Sequence, residues 1–238
     1  MSHPVLTREA IAGGDLDAFM QDAERRGLLT RLSDEAREAS RDRTLARFDP
    51  GEDIWVFGYG SLIWNPAFHF EEQRTARIHG LHRRFCLETP LGRGSPEQPG
   101  RVLGLDRGGS CSGMAFRLDP DKAKHELGIL WRREMISDAY SAAIVRARMD
   151  DGQVVRAATF IINRKSPRYC GETDLDKVAY SIAHAEGWLG PCSDYLFQTL
   201  EGLHGLGLRD SYLEKLAKKV RAFQADREAR PPATDALP

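Results

Sequence analysis

Apolar and polar positions repeat with two different periods along this chain. From about residue 54 to residue 162, β-branched and aromatic residues form short runs bounded by turn residues, which is typical of strands. In the first 50 residues and after residue 174, apolar residues recur at helical spacing. Strands grouped together, with one helical stretch among them and helices last, predict an α+β fold.

The first 50 residues are charged and predict two or three helices ahead of the sheet. Thr7 and Ser33 are suitable N-cap residues. Acidic residues directly follow Ser33, where the helix dipole favours them. We expect these helices to pack across the core or to cover one of its edges, and they contain no candidate catalytic residue. Their apolar positions are Leu16, Phe19, Met20, Leu28 and Leu29.

The middle of the chain predicts one buried strand followed by paired strands. Residues 54–57 are a β-branched and aromatic run that ends at Gly58. Turn residues divide the rest of this region into short strands. The expected pairs are two strands around a turn at Gly80 within residues 76–87, residues 101–105 with 111–118, and residues 140–149 with 154–162.

Helices and loops complete the pattern. Residues 89–100 contain three prolines and three glycines and predict a loop of roughly a dozen residues, a length that is often functional. Asp119-Pro120 predicts the start of a helix over residues 121–131. The remaining expected elements are a loop at 164–172, helices at 174–186, 192–205 and 209–226, and a frayed tail at 231–238.

Composition and charge narrow the class of protein. The 238 residues are 41% hydrophobic and 29% charged, which is ordinary for a soluble globular protein, and the net charge of -1 argues against a nucleic-acid surface. No apolar run approaches the ~18 residues of a membrane span. The N-terminus lacks the apolar core of a secretory signal, so we expect a cytoplasmic protein. The four cysteines and seven histidines show no ligand spacing, so we expect no metal.

A turn with two glycines follows the first strand. Gly58 and Gly60 allow the backbone to bend so that the N–H groups of residues 59–62 point into one cavity, an arrangement that holds an anion or an oxyanion. Ser61-Leu62 does not fit the Lys-Ser/Thr of a phosphate-binding loop, and Ile63 replaces the third glycine of a dinucleotide fingerprint. The glycines of a nucleophile elbow are also missing around Ser61.

The full string at residues 57–64, Phe-Gly-Tyr-Gly-Ser-Leu-Ile-Trp, closely resembles the signature of the ChaC family of γ-glutamylcyclotransferases. Further motifs follow in the order expected for that family, and together they are far more specific than any one alone. They are His-Arg-Arg-Phe at 82–85, Pro-Gly-Arg-Val at 99–102, Gly-Met-Ala-Phe-Arg-Leu at 113–118, Trp-Arg-Arg-Glu-Met at 131–135 and Asp-Tyr-Leu-Phe at 194–197.

The resemblance implies an architecture. It implies that the strands curl into a small, mixed, barrel-like sheet surrounded by helices, a closure that periodicity alone does not show. On this basis residues 1–50 form an N-terminal helical extension, residues 51–230 the catalytic domain and residues 231–238 a flexible tail. The shortest family members begin near the glycine turn, and this chain departs from them in its extension.

The resemblance also implies a reaction, the cleavage of glutathione to 5-oxoproline and Cys-Gly. The α-amine of the γ-glutamyl group attacks its own γ-carbonyl, so a single carboxyl group acting as base and then acid is enough, without a cofactor. Glu134, within Arg-Arg-Glu-Met, matches the acidic residue of the family. We expect it to be partly buried beside the glycine turn, with its pKa raised by desolvation.

The remaining site residues would bind the substrate. Backbone N–H groups of the turn would hold the α-carboxylate or the oxyanion of the γ-glutamyl head. Arginine suits carboxylates, and Arg84 lies in a matched motif, with Arg101 a weaker candidate. Tyr169 lies where the family places a tyrosine before its C-terminal helices. The expected substrate-binding residues are therefore Tyr59, Gly60, Ser61, Leu62, Arg84 and Tyr169.

Three alternatives stay open at this point. The substrates could be other γ-glutamyl amino acids or amines. The chain could be a non-catalytic glutathione-binding regulator linked to cation transport, although an intact Glu134 beside an intact turn argues against it. Nucleic-acid binding conflicts with the near-neutral charge. We expect glutathione as the partner, no membrane or nucleic-acid partner, and a monomer or homodimer. The arginines that raise the nucleic-acid alternative, and that could instead attract an anionic tripeptide, are Arg74, Arg77, Arg83 and Arg84.

Overall fold

The computed structural model describes residues 6–229 and begins with three short helices. These are α1 (Arg8–Gly13), α2 (Asp15–Arg25) and α3 (Asp34–Leu45). Both expected caps are confirmed, because the side chain of Thr7 accepts a hydrogen bond from Ala10 N and that of Ser33 accepts one from Ala36 N. The predicted tail at residues 231–238 lies outside the described residues.

Five strands close into a barrel, as the resemblance implied. Strand β5 runs parallel to β1, and this pairing of Trp55 with Ala157 and Val56 with Ala158 closes the ring. The neighbouring pairs β1–β3, β3–β2, β2–β4 and β4–β5 are antiparallel, so the sheet is mixed. The strands are β1 (Trp55–Gly58), β2 (Glu72–Thr89), β3 (Gly100–Arg117), β4 (Tyr140–Met149) and β5 (Val154–Ile162).

The two short strand pairs expected before residue 118 are wrong. Strands β2 and β3 are long and pair with each other from Glu72–Arg117 to Thr89–Gly100. Gly80 has a positive φ but lies opposite Gly108 and Gly109, at a register shift inside the ladder. The turn residues therefore form a bulge that bends a continuous two-stranded ribbon, and the chain does not reverse there.

The remaining helices pack around the barrel. Helix α4 (Ala123–Glu134) begins and ends later than expected, and Glu134 is its last residue. The three predicted C-terminal helices are confirmed as α5 (Leu175–His184), α6 (Cys192–Gly205) and α7 (Ser211–Ala229), with a small hairpin of β6 (Glu186–Gly187) and β7 (Gly190–Pro191) between α5 and α6. Among residues 6–229, no helix combines the length and the apolar character needed to cross a membrane.

Strand β1 is buried on both faces, which explains its continuous apolar run. Trp55 and Phe57 belong to an apolar cluster that includes residues of α5, α6 and α7. Val56 belongs to a second cluster, which includes Leu127 and Trp131 of α4. Because neighbouring strand residues point to opposite faces, β1 is held between these two layers, and the glycine turn that follows it starts from a fixed position.

Candidate active site

A cavity of about 230 Å³ lies where the glycine turn leaves β1. Its lining combines the turn with the end of α4, the loop after β2, the hairpin β6–β7 and helix α6. Residues 6–53, called here the N-terminal segment, also contribute to the lining, and the sequence did not predict this contribution. Among the lining residues are Leu6, Leu16, Met20, Leu28, Leu29, Tyr59, Gly60, Ser61, Leu62, Arg93, Arg133, Glu134, Tyr140, Arg168, Trp188 and Tyr195.

The turn is a tight structure with little room around it. Residues Ser61–Ile63 form one turn of 3-10 helix, in which Ile63 N donates to Gly60 O at 2.9 Å. A Cβ atom at Gly60 would lie 2.8 Å from the hydroxyl oxygen of Tyr195. The close approach of the Tyr195 side chain of α6 therefore disfavours a larger residue at position 60.

Glu134 lies beside this turn, as expected from the sequence. Its side chain is 16% exposed, and burial raises its pKa, while the charge of Arg133 acts in the opposite direction. Arg133 joins the two parts of the site, because its Nη2 donates to Ser61 Oγ at 2.7 Å and its Nε lies 3.3 Å from Glu134 Oε1. The expected environment of Glu134 is confirmed, and its catalytic role stays a prediction.

Three tyrosines line the same cavity as Glu134. Burial is the main cause of the raised pKa values of Tyr59, Tyr140 and Tyr195, and the charge of Glu134 adds to it in each case. The pKa of Tyr195 is raised to about 12. All three phenols are therefore protonated at neutral pH and can donate hydrogen bonds; Tyr140 Oη donates to Leu103 O at 2.6 Å.

Two arginines that the sequence analysis missed also face the cavity. Burial lowers the pKa of Arg168, which donates from Nε to Glu88 O at 2.9 Å. Within residues 6–229 no carboxylate lies within 4.0 Å of the Arg168 guanidinium, whereas Arg93 lies 3.9 Å from Asp194. A buried guanidinium without a carboxylate partner suits an anionic ligand.

Arg84 and Tyr169 lie outside this cavity and gather around a buried aspartate instead. Tyr169 Oη donates to Asp106 Oδ2 at 2.9 Å, and Arg84 Nη1 lies 3.6 Å from the same oxygen. Arg164 Nε completes the cluster, 2.6 Å from Asp106 Oδ1. The cavity therefore gives no support to Arg84 or Tyr169 as substrate ligands.

The predicted tyrosine misses the cavity by one position in the sequence, because Arg168 lines the cavity and Tyr169 does not. Tyr169 forms an isolated bridge with Leu87 of β2, whereas Arg168 belongs to the preceding turn, in which Tyr169 N donates to Ser166 O at 3.0 Å. Tyr169 points to Asp106 while Arg168 lines the cavity. The weaker candidate Arg101 is buried, pairs with Glu88 at 3.8 Å and does not belong to the cavity lining.

All four arginines considered as a basic surface have partners of their own, and the partner of Arg84 is Asp106. Arg74 contacts Asp150 and Asp151 at 2.8 and 2.9 Å. Arg77 donates to Ser110 Oγ, and Arg83 lies 3.3 Å from Asp210. These contacts tie neighbouring elements together and do not converge on one surface.

Comparison with known proteins agrees with this architecture. The model of the ChaC-like protein family matches residues 54–223. A glutathione-specific γ-glutamylcyclotransferase of Escherichia coli is 43% identical over 82% of this chain and 84% of its own length. The mouse glutathione-specific γ-glutamylcyclotransferase 1 is 30% identical over 72% of this chain and 79% of its own.

A solved structure supports the same fold. The crystal structure of a γ-glutamyl cyclotransferase specific to glutathione from yeast superimposes with a TM-score of 0.67 at 23% identity, over 74% of this chain and 99% of the yeast chain. The residues matched by the family model, 54–223, contain the whole barrel. The chain therefore belongs to the ChaC-like family.

Proposed function

We propose that this chain is a glutathione-specific γ-glutamylcyclotransferase that forms 5-oxoproline and Cys-Gly, with Glu134 as general base and acid. The observation that carries the proposal is the largely buried Glu134 carboxyl, which lies in the cavity beside the glycine turn and whose pKa is raised by burial. The names of the E. coli and mouse relatives support the choice of substrate.

The reaction needs neither water nor a covalent intermediate with the enzyme. The α-amine nitrogen of the γ-glutamyl group forms a bond to the γ-carbonyl carbon, and the amide bond from that carbon to the cysteinyl nitrogen breaks. One proton leaves the attacking nitrogen and one proton arrives on the leaving nitrogen, so atoms balance in 5-oxoproline and Cys-Gly. Because both reacting groups belong to one molecule, correct folding of the substrate supplies much of the rate.

Glu134 can carry the proton between these two nitrogens. A carboxyl group with a raised pKa is a stronger base than an ordinary glutamate, and a larger fraction of it holds a proton near neutral pH, which it can then pass to the leaving nitrogen. The protonated phenols of Tyr59 and Tyr195 and the N–H groups of the turn are donors for the negative charge that develops on the γ-carbonyl oxygen.

The arginines in the cavity lining can bind the carboxylates of the substrate. Glutathione carries two carboxylates, and each has to leave water on entering the cavity. Arg168 has no carboxylate partner within 4.0 Å among residues 6–229, and Arg93 lies nearby in the lining. We assign one substrate carboxylate to Arg168, because a planar guanidinium binds carboxylates in two-point geometry.

The cytoplasm suits this assignment. All four cysteines are free thiols, and three of them are buried. Free thiols and a reduced thiol substrate both fit a reducing compartment. The expected oligomeric state, a monomer or a homodimer, stays a prediction.

The test is to incubate the purified protein with reduced glutathione and to measure 5-oxoproline and Cys-Gly. We expect the wild type to form both in equal amounts and Glu134→Gln to lose about 10²–10⁴-fold in kcat, the usual contribution of a general base. Glu201→Gln, an exposed glutamate on α6, serves as the matched control and should keep full activity.

Other outcomes separate the alternatives. If the protein cleaves other γ-glutamyl amino acids or amines but not glutathione, the proposed reaction stands and the proposed substrate is wrong. Binding of glutathione without product would favour the regulator. Full activity of Glu134→Gln would retain the enzyme and remove Glu134 from its mechanism.

A further inference from the structure

The N-terminal segment supplies an apolar wall of the cavity. Five of its side chains face the cavity, and all five are leucine or methionine. The family model begins only at residue 54, so this wall lies outside the part of the chain that the model matches. The residues of the wall are Leu6, Leu16, Met20, Leu28 and Leu29.

Hydrogen bonds fix this segment on both sides of Glu134. Before it in the sequence, Arg132 Nη1 donates to Ala12 O at 3.2 Å. After it, Leu32 N donates to Ile136 O at 2.8 Å. Because both bonds involve the main chain of the N-terminal segment, the position of the wall relative to Glu134 is set by the fold.

Two more contacts fix the wall to other parts of the site. Asn65 Nδ2, just after the glycine turn, donates to Leu6 O at 3.1 Å. The ring of Phe19 packs on that of Trp188 in the hairpin β6–β7, with centroids 4.4 Å apart. The segment therefore spans the cavity from the turn to the hairpin.

The chemistry of the reaction assigns a ligand to this wall. If the turn and Glu134 hold the γ-glutamyl head, the amino acid on the other side of the breaking amide must contact the remaining lining. A charged side chain placed against leucine and methionine would lose its water without gaining a partner. A cysteine side chain behaves as a small apolar group and loses little.

Resting on the proposed function, we propose that the N-terminal segment forms the leaving-group subsite and selects an uncharged, apolar side chain next to the γ-glutamyl group. Met20 and Leu29 are its specificity-determining residues. Both face the cavity, and Leu29 is only partly buried and lies outside the helices, so a polar substitution disturbs folding less there than at the buried Met20.

The experiment compares tripeptides that differ only at the middle residue. Reduced glutathione, γ-Glu-Ala-Gly and γ-Glu-Glu-Gly are supplied to the wild type, Met20→Ala, Leu29→Lys and the control Ile11→Ala, and 5-oxoproline is measured. Ile11 is buried in the same apolar cluster as Leu16 and Met20 but does not line the cavity. Thermal unfolding of each variant verifies that it is folded.

We expect Leu29→Lys to raise the ratio of kcat/KM for γ-Glu-Glu-Gly over γ-Glu-Ala-Gly by about tenfold or more, because the lysine pairs with the added carboxylate. Met20→Ala should raise KM for glutathione about tenfold and change kcat less, as expected for lost uniform binding. Ile11→Ala should lower stability and leave the ratio and KM within about twofold of the wild type.

Two results would overturn the subsite, and they differ in what they say of the proposed function. An unchanged ratio in Leu29→Lys together with an unchanged KM in Met20→Ala, while 5-oxoproline still forms, removes the subsite and leaves the proposed function in place. If Leu29→Lys does not fold, KM of Met20→Ala decides alone. No 5-oxoproline from the wild type with any of the three peptides overturns the proposed function and the subsite together.

Discussion

At the scale of the residue, the candidate site contains the carboxyl group of Glu134, and its surroundings favour the neutral form. Burial raises the pKa of Glu134, and the charge of Arg133 only partly opposes this. The sequence identified Glu134 through its motif, and it also predicted the desolvation. It did not identify Arg168, because this residue lies in a turn of a loop and no motif tells which side chain of such a loop faces the cavity.

The raised pKa has a consequence for stability that can be measured. The native state holds the Glu134 proton more tightly than the unfolded chain does. This contribution is fully present below the ordinary value of 4.5 and is lost as the pH rises through the raised native pKa. Glu134→Gln cannot ionise, so we expect its thermal unfolding midpoint to exceed that of the wild type near pH 8 and to equal it near about pH 4.

Differential scanning calorimetry across this pH range checks the prediction. Glu201→Gln is again the control, and its midpoint should follow the wild type at each pH. A lower midpoint for Glu134→Gln near pH 8 would mean that the ionised carboxylate is stabilised in the native state, contrary to the effect of burial.

At the scale of the element, the periodicity predicted helices well and long strands poorly. Helices have caps and amphipathic stripes that are local in sequence, so α5, α6 and α7 were predictable. Gly80 and Gly108-Gly109 resemble hairpin turns in sequence, yet the two strands continue past them. Only the partner strand decides between a turn and a bulge, and its register cannot be determined from local residue types.

The contact between the glycine turn and α6 gives a prediction at this scale. Gly60→Ala would place a methyl group 2.8 Å from the Tyr195 hydroxyl, whereas the next nearest atom lies at 3.5 Å, an ordinary contact. We expect Gly60→Ala to lower the free energy of unfolding by about 1–3 kcal/mol. Most of this loss should disappear in a Tyr195→Phe background, because the clashing oxygen is absent there.

Urea unfolding of the wild type, the two single variants and the double variant provides the cycle. Coupling between the two substitutions would show that the Tyr195 hydroxyl of α6 causes the loss of stability in Gly60→Ala. If Gly60→Ala lowers the free energy of unfolding equally in both backgrounds, the cause is instead the backbone conformation of the turn.

At the scale of the whole molecule, the N-terminal helices are attached to the catalytic part through a buried ion pair. Arg8 Nη2 lies 2.5 Å from Glu126 Oε1 of α4, whose side chain is 3% exposed. Burial alone would raise the pKa of Glu126, but hydrogen bonds from Arg8 and from His69 N outweigh it and the pKa is lowered. The sequence predicted a structural role for these helices and did not predict their place in the cavity.

Removal of this pair should loosen the N-terminal helices. We expect Arg8→Ala to lower the free energy of unfolding by about 2–3 kcal/mol at pH 7, because Glu126 stays buried without its cation. The difference should shrink as the pH falls through the lowered pKa of Glu126, since its stabilisation is present above the ordinary 4.5 and lost on protonation. Urea unfolding at several pH values measures both effects.

Arg25→Ala is the matched control. Arg25 pairs with Asp22 at 3.0 Å, but both side chains are exposed. Its substitution should change the free energy of unfolding by no more than about 0.5 kcal/mol. Equal effects of the two substitutions would show that the buried pair does not hold the helices in place.

The closure of the barrel by β1 and β5 also determines when the nascent chain can complete its sheet during synthesis. Strand β1 leaves the ribosome well before its parallel partner, Val154–Ile162. Until then β1 lacks one neighbour, and the long-range pairing that closes the ring cannot form. Glu134 is translated before β5, yet its cavity is lined in part by Arg168 and Tyr195, which come later still. A ribosome-bound chain therefore acquires the complete cavity only after Tyr195 has left the ribosome.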